Sequence, residues 1–403
     1  MQNDRILIIE SGINGIGLLS FSFDWREIAF FGSPMVAPWW SECNFFVGFV
    51  IFAWLVMPLL YFTNSWDSAY FPFSGHNAYD KHGKIYQEKL VLDEPSYTFN
   101  LDKFKGYSPI FLSMGFIVSY FGGFASITSV LCNMFINHYD NVLGALGLKS
   151  HEKPDIHAKL MRRYQSVPSW WFFATFFIPF LLILVSADYF HFTVKDIYLI
   201  IAILLSVLYA LPSGYVFAMT GQMIGTNILA DVVGGYILPG LPQGVLFFMS
   251  IAVQTIVSCL EFTGNLKLGH YMKIPPKTMF LLQIVCTIIT GCAELALKEV
   301  LITNVPDACH DHSSSGLTCW SPKVYFLTSL LWSAIGPDHL FAFKPFRFIL
   351  WGLLAGALCP LLTLLIRWRL KKPGLSYVCW AFIFFSVGFF AVTLSVYFSM
   401  WFV

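Results

Sequence analysis

Charge is what this 403-residue sequence has least of: Asp, Glu, Lys and Arg together make up 12% of it, against 57% apolar residues. A soluble domain carries roughly a quarter charged residues, so a soluble fold of this size is set aside. Basic excess is missing too. The 24 Lys+Arg against 23 Asp+Glu leave a net charge of +1, without the clustered positive surface that nucleic acid requires. The nine cysteines contain no C-x-x-C pair, which argues against a zinc ribbon or a thioredoxin-like centre. The sequence has no G-x-x-x-x-G-K-[ST] loop, G-x-S-x-G elbow or H-E-x-x-H helix. Primary pumps and hydrolases lose their usual signatures with these, and no convergent catalytic cluster takes their place. The expectation is a non-enzyme without cofactor or metal. Residues 1–20 lack the charged, apolar and cleavage regions of a signal peptide, so targeting must come from an internal helix.

Long apolar runs are what remains. A membrane span needs about 20 mainly apolar residues, because the hydrocarbon core is roughly 30 Å thick. Nine runs qualify: 43–63, 109–137, 169–188, 197–217, 221–239, 243–262, 278–301, 346–367 and 377–401. Inside lipid every backbone N–H and C=O must be paired within the protein, so these lengths read as helices. Trp39, Trp40, Trp54, Trp66, Trp170 and Trp171 lie close to span ends, as in interfacial aromatic belts.

Lys and Arg in short loops set the orientation. Lys149, Lys153, Lys159, Arg162 and Arg163 lie in 138–168; Lys267, Lys273 and Lys277 in 265–277; Arg367, Arg369, Lys371 and Lys372 in 367–372. All three loops are expected in the cytoplasm. The stretch 324–335 is apolar but too short for a span before Gly336-Pro337-Asp338-His339 interrupts it, and a crossing there would put the 367–372 cluster outside. The fold expected is an all-α integral membrane protein of about nine transmembrane helices plus one re-entrant or interfacial half-helix on the outer side. Residues 1–42 form a cytoplasmic N-terminal segment, and 43–403 a transmembrane domain with outer loops 64–106 and 303–322.

The run from Gly221-Gln222-Met223 through Asn227 and Asp231 to Pro239-Gly240 is the most unusual segment. Asn227 and Asp231 are four apart and share a helical face. An ionisable group near mid-membrane is costly and is a functional candidate by default, so Gln222, Asn227 and Asp231 are read as a substrate or proton pathway. The competing reading is a packing helix whose Asp is satisfied by a neighbour. Glu261 and Glu294 are the other acids in apolar settings, Glu261 near an interface. Lys267, His270, Lys273, Pro275, Pro276 and Lys277 form a basic, rigid cytoplasmic elbow before the next helix, for which gating is an alternative role. Cys309 and Cys319 flank His310-Asp311-His312; the loop is expected to face an oxidising compartment, where a disulfide is simpler than a metal site.

Several blocks resemble the oligopeptide transporter family in its peptide-transporter branch. They are Asn14-Gly15-Ile16-Gly17-Leu18-Leu19 with Phe23-Asp24-Trp25; Ser33-Pro34 with Pro38-Trp39-Trp40; Asp155-Ile156-His157 with Leu160-Met161-Arg162; Gly225 with Asn227 and Gly235 through Gly240; and Trp332 with Gly336-Pro337. The string Leu-Lys-Leu-Gly-His-Tyr-Met-Lys-Ile-Pro-Pro at 266–276 is the most specific. The resemblance implies proton-coupled symport of tetra- or pentapeptides or glutathione across a lipid bilayer, with the plasma membrane as the expected location. It also shows departures. Family members carry an Asn-Gln-Gln-like triplet where this chain has Gly221-Gln222-Met223, and Glu where it has Asp231. They are nearly twice as long and carry an Asn-Pro-Gly motif absent here, so the chain reads as truncated at both ends. The alternative function is a non-transporting remnant or the partner subunit of a membrane assembly.

Overall fold

The structure is a computed structural model that describes residues 4–402 apart from 13, 14, 19, 33, 34, 36, 76, 94–96, 138, 140–143, 145–155, 190–193, 226, 306–308, 310–318, 342, 343, 372 and 391–394. Among the described residues seven helices are long and apolar enough to cross a membrane. In chain order the helices of the bundle, leaving aside shorter ones of four to seven residues, are α1 (Trp39–Phe62), α2 (Met114–Asn137), α3 (Ser169–Tyr189), α4 (Asp196–Thr220), the short α5 (Asn227–Ile237), α6 (Pro242–Tyr271), α7 (Pro276–Asn304), α8 (Trp320–Leu330), α9 (Lys344–Leu370), and the short α10 (Trp380–Val387) and α11 (Ser395–Phe402). Polar side chains within the spans bond back to the backbone, as an apolar surround demands. Ser206 Oγ lies 2.9 Å from the Ala202 carbonyl of its own helix and 2.8 Å from the Ala252 carbonyl of α6, and Tyr209 donates to the Ile127 carbonyl of α2 at 3.2 Å.

Helix α2 is the hub, with 78% of its apolar window buried. Helix α9 lies alongside it so closely that a Cβ on Gly356 would sit 2.1 Å from the Ala125 carbonyl oxygen. Thr128 of α2 donates to the Leu353 carbonyl of α9 at 3.0 Å. By contrast α3 and α7 bury only 6% of their windows each.

Two predicted spans are not continuous helices. In 221–239 only Asn227–Ile237 is helical: α4 stops at Gly221, whose φ of +74° ends the helix, and residues 222–225 form no regular element. The 377–401 run divides into α10 and α11. Both runs are mainly apolar, and hydropathy alone does not distinguish one long helix from shorter pieces. The predicted half-helix is present as α8, which continues through a π-helical turn at Leu331–Ile335 to Gly336.

The predicted elbow is shorter than expected. Lys267 and His270 belong to the last turns of α6, because nothing between 263 and 271 breaks the helix, and Pro276 and Lys277 open α7. Only Met272 to Pro275 lie between the helices. Lys273 there has a φ of +62°, and its Nζ bonds to His157 Nδ1 and to the His270 carbonyl. Lys277 Nζ donates to Gln165 at 2.6 Å. These contacts join the α6–α7 corner to the segment that follows α2, and α9 runs parallel to α2. The three basic loops therefore share one face of the bundle. Lys149 and Lys153, together with His138 and His151, lie outside the described residues.

On the opposite face the long α1–α2 connection folds into a cap. Strand β1 (Ala78–Tyr79) pairs with β4 (Phe111–Leu112), and β2 (Leu92–Asp93) pairs with β3 (Thr98–Phe99), both antiparallel. Two small two-stranded sheets thus accompany an otherwise helical chain. Asp80 organises the turn after β1. Burial works against its charge, but the Lys84 and His82 amides donate to it and hold its carboxyl below the usual carboxylate range. The cap is pinned to the helices through the α5–α6 turn: Phe99 N donates to the Gly240 carbonyl at 3.2 Å, and Gly240 N to the Ser333 carbonyl at 2.7 Å. Elsewhere, residues of the N-terminal segment pack on α1 and α11, with Phe31 against Phe45 and Phe398 and with Trp401 donating to the Gly32 carbonyl at 3.0 Å.

Candidate functional site

Helix α5 spans about half the hydrocarbon thickness, since 11 residues rise about 16 Å. It is held on three sides by α2, α6 and the π-helical turn after α8. Close approach is possible because residue 235 is glycine: a Cβ there would lie 2.7 Å from the Trp332 carbonyl oxygen. This clamp puts Asp231 in the middle of the molecule, with 2% of its surface exposed. Its Oδ1 has no hydrogen-bond partner among the described residues.

Aromatic polar groups surround that carboxyl. Trp332, fully buried, donates its indole N–H to the Tyr120 hydroxyl of α2 at 3.2 Å, and the two rings meet edge to face at 5.8 Å. Asn227, one turn before Asp231, donates to the Tyr325 hydroxyl of α8 at 3.4 Å. Tyr120 and Tyr325 both lie within electrostatic reach of Asp231. No basic side chain is paired with it; the ion pair found among the described residues is Lys103 with Asp93, out in the cap. An ionised carboxylate left unpaired in such surroundings costs several kcal/mol. The site therefore accommodates the group with a proton on it or with a cation brought against it. A short helix that comes after a non-helical stretch is also an arrangement in which transporters build central sites.

The other sequence candidates lie elsewhere. Gln222 sits in the non-helical stretch after α4 and donates its side-chain amide to the Phe31 carbonyl, so it ties α4 to the N-terminal segment rather than to Asp231. Glu261 on α6 and Glu294 on α7 are exposed on the outside of the bundle. Lys267, His270, Lys273, Pro275, Pro276 and Lys277 cluster at the basic face. Cys309 and Cys319 are joined as a disulfide; His310, Asp311 and His312 between them lie outside the described residues. Among the described residues no group of three or more His, Cys, Asp and Glu is placed to hold a metal. Sequence reasoning missed Tyr120, Tyr325 and Trp332 as members of the site. Their signal was faint: a tyrosine within an apolar run needs a partner for its hydroxyl, which only the fold supplies.

Bundle, half-helix and sealed carboxyl define a multi-pass, all-α membrane protein. A family profile described as "OPT oligopeptide transporter protein" matches residues 3–403, and the chain belongs to that family. Among its relatives, "Glutathione transporter 1" of Schizosaccharomyces pombe is 32% identical over 389 residues, 96% of this chain and 46% of that protein. "Oligopeptide transporter 1" of Arabidopsis thaliana is 33% identical over 88% of this chain and 48% of its own length. "Oligopeptide transporter 1" of Saccharomyces cerevisiae is 30% identical over 89% of this chain and 45% of its own. The chain spans about half the length of the curated relatives it matches. No solved structure matches it.

Proposed function

We propose that this chain serves proton-coupled symport of short peptides, tetra- or pentapeptides or glutathione, across the plasma membrane, and that Asp231 carries the coupled proton. The printed names of the relatives supply the substrate class. The single observation that supports the coupling role is the sealed Asp231 carboxyl with an oxygen that no group among the described residues satisfies. A protonated carboxyl suits the closed aromatic site, whereas an ionised one calls for water or a cation. Opening the site to either side is then linked to the protonation state of this one group. An acidic exterior loads it, and proton loss toward the basic, cytoplasmic face releases it. Alternating access of helix bundles around a midplane site is the general form of such a cycle. Uptake of a labelled tetrapeptide and of glutathione, each at acidic and at neutral outside pH, tests the reading. Uptake that does not respond to pH in correctly inserted protein would sink it.

A second reading has its own support. The chain matches only about half of each relative, and α3 and α7 bury 6% of their windows. Both fit a subunit that works only when assembled with another membrane unit. Reconstituting the purified chain alone separates the two readings, because pH-driven uptake in that preparation is incompatible with an obligate partner.

A further inference from the structure

The cap carries an open cleft of about 560 Å³, lined by Asn64, Asp67, Tyr70, Phe71, Lys81 and Phe111 among others. Its size falls in the range of small-ligand sites, roughly 300–1,000 Å³. The backbone at its edge is held in an uncommon conformation. Asn64, Trp66 and Asp67 have φ of +52°, +57° and +60°, values a bulky residue such as tryptophan seldom adopts. Local hydrogen bonds fix this turn: the Asn64 side chain accepts from Ala69 N at 3.1 Å, and Thr63 and Ser65 hydroxyls meet at 3.0 Å. The turn sends Trp66 inward, where its ring lies 5.3 Å from Phe348 at the start of α9, and leaves Asp67 on the cleft. Strain of this kind persists where surrounding structure imposes it, and it gathers at ligand sites.

Chemistry in the cleft is two-ended. Asp67 and Lys81 bring opposite charges to the same hollow yet form no ion pair with each other or with any described residue. Lys81 is positioned by its backbone, whose N–H donates to Ser108 at 2.8 Å. One wall is apolar and flat, with Phe71 and Phe111 stacked at 5.0 Å and 18°. Below the cap, the Phe99–Gly240–Ser333 contacts lead to the turn that carries Trp332, whose indole donates to Tyr120.

We propose that this cleft is an outer capture site for a short zwitterionic peptide. Asp67 receives the α-ammonium, Lys81 receives the terminal carboxylate, and the chain between them lies on Phe71 and Phe111. The inference rests on the peptide-transport reading for its substrate but not for its geometry. Its test is the concentration dependence of uptake for a free tetrapeptide, its N-acetyl form and its C-terminal amide, with wild type, Asp67→Asn and Lys81→Gln. Each substitution should raise KM for the free peptide about threefold and leave Vmax unchanged, since exposed charge pairs are modest. Asp67→Asn should add nothing for the acetylated peptide, and Lys81→Gln nothing for the amide. An unchanged KM in both variants, or equal losses for free and blocked peptides, overturns the capture site. Should wild type not transport at all, the transport reading fails separately, and calorimetric binding of the free tetrapeptide to the purified full chain still decides the cleft. Binding weakened by both substitutions supports it; binding that ignores them, or no binding, overturns it.

Discussion

Asp231 and Glu294 are both carboxylates in apolar helices. In the folded chain they part company. Asp231 is sealed on α5 beside α2, the most buried of the spans, with tyrosine hydroxyls and an indole N–H around it. Glu294 stands exposed on α7, which buries 6% of its window, with Lys298 one turn further along the same face. What separates them is the helix each sits on rather than the acid itself. A carboxyl becomes a candidate proton carrier when the fold takes away its solvent and leaves it no described counter-charge, as α5 does for Asp231 and α7 does not for Glu294; Glu42 on α1 is buried with an unsatisfied oxygen as well.

Substitutions can break or sharpen that contrast. Asp231→Asn keeps the shape and removes the ionisable group, so pH-driven peptide uptake should fall at least about tenfold while the protein still folds. Gly235→Ala puts a methyl group against the Trp332 carbonyl; it should destabilise the packed site by about 1–3 kcal/mol, read as a lower Tm in detergent. Tyr120→Phe removes the hydroxyl that Trp332 donates to, and initial uptake should fall several-fold without loss of the folded state. Glu294→Gln and Glu261→Gln, on exposed faces, should change uptake less than about twofold. A large loss in either would undo the comparison.

The smallest effect belongs to the cap. Burial pushes Glu88 up from the ordinary 4.5 to about 7, with Lys323 opposing the rise. Its folded-state value lies above its unfolded one, so its contribution to stability is full below the unfolded value and is lost as pH rises through about 7. The Tm of the wild type should therefore fall across that window. Glu88→Gln should flatten the fall.

Much of this architecture was legible before any coordinates. Apolar length gave nine candidate spans, seven of which are long apolar helices among the described residues, and the short apolar stretch before Gly336-Pro337 is helical as α8. The three basic clusters could be placed on one face because the positive-inside pattern is written in residue type alone. Segments 221–239 and 377–401 were read as full spans because hydropathy does not report where a helix is broken. Asp231 stood out for the cost of an acid in an apolar run. Its partners did not, because Tyr120, Tyr325 and Trp332 come from α2, α8 and the turn beyond it, far apart in sequence and joined only by packing. Gln222 misled for the converse reason: it lies in a stretch outside any helix, and its side chain bonds to Phe31 rather than facing Asp231. Exposure of Glu261 and Glu294 is likewise a property of helix packing, which no local pattern encodes.

Central to the account is that Asp231 couples peptide movement to a proton, and counterflow in reconstituted vesicles tests this most directly. Wild type and Asp231→Asn would be compared for exchange of labelled against unlabelled tetrapeptide without a pH gradient, and for net accumulation with one. The account predicts that Asp231→Asn keeps exchange and loses pH-driven accumulation. Accumulation at the wild-type level in that variant would contradict it.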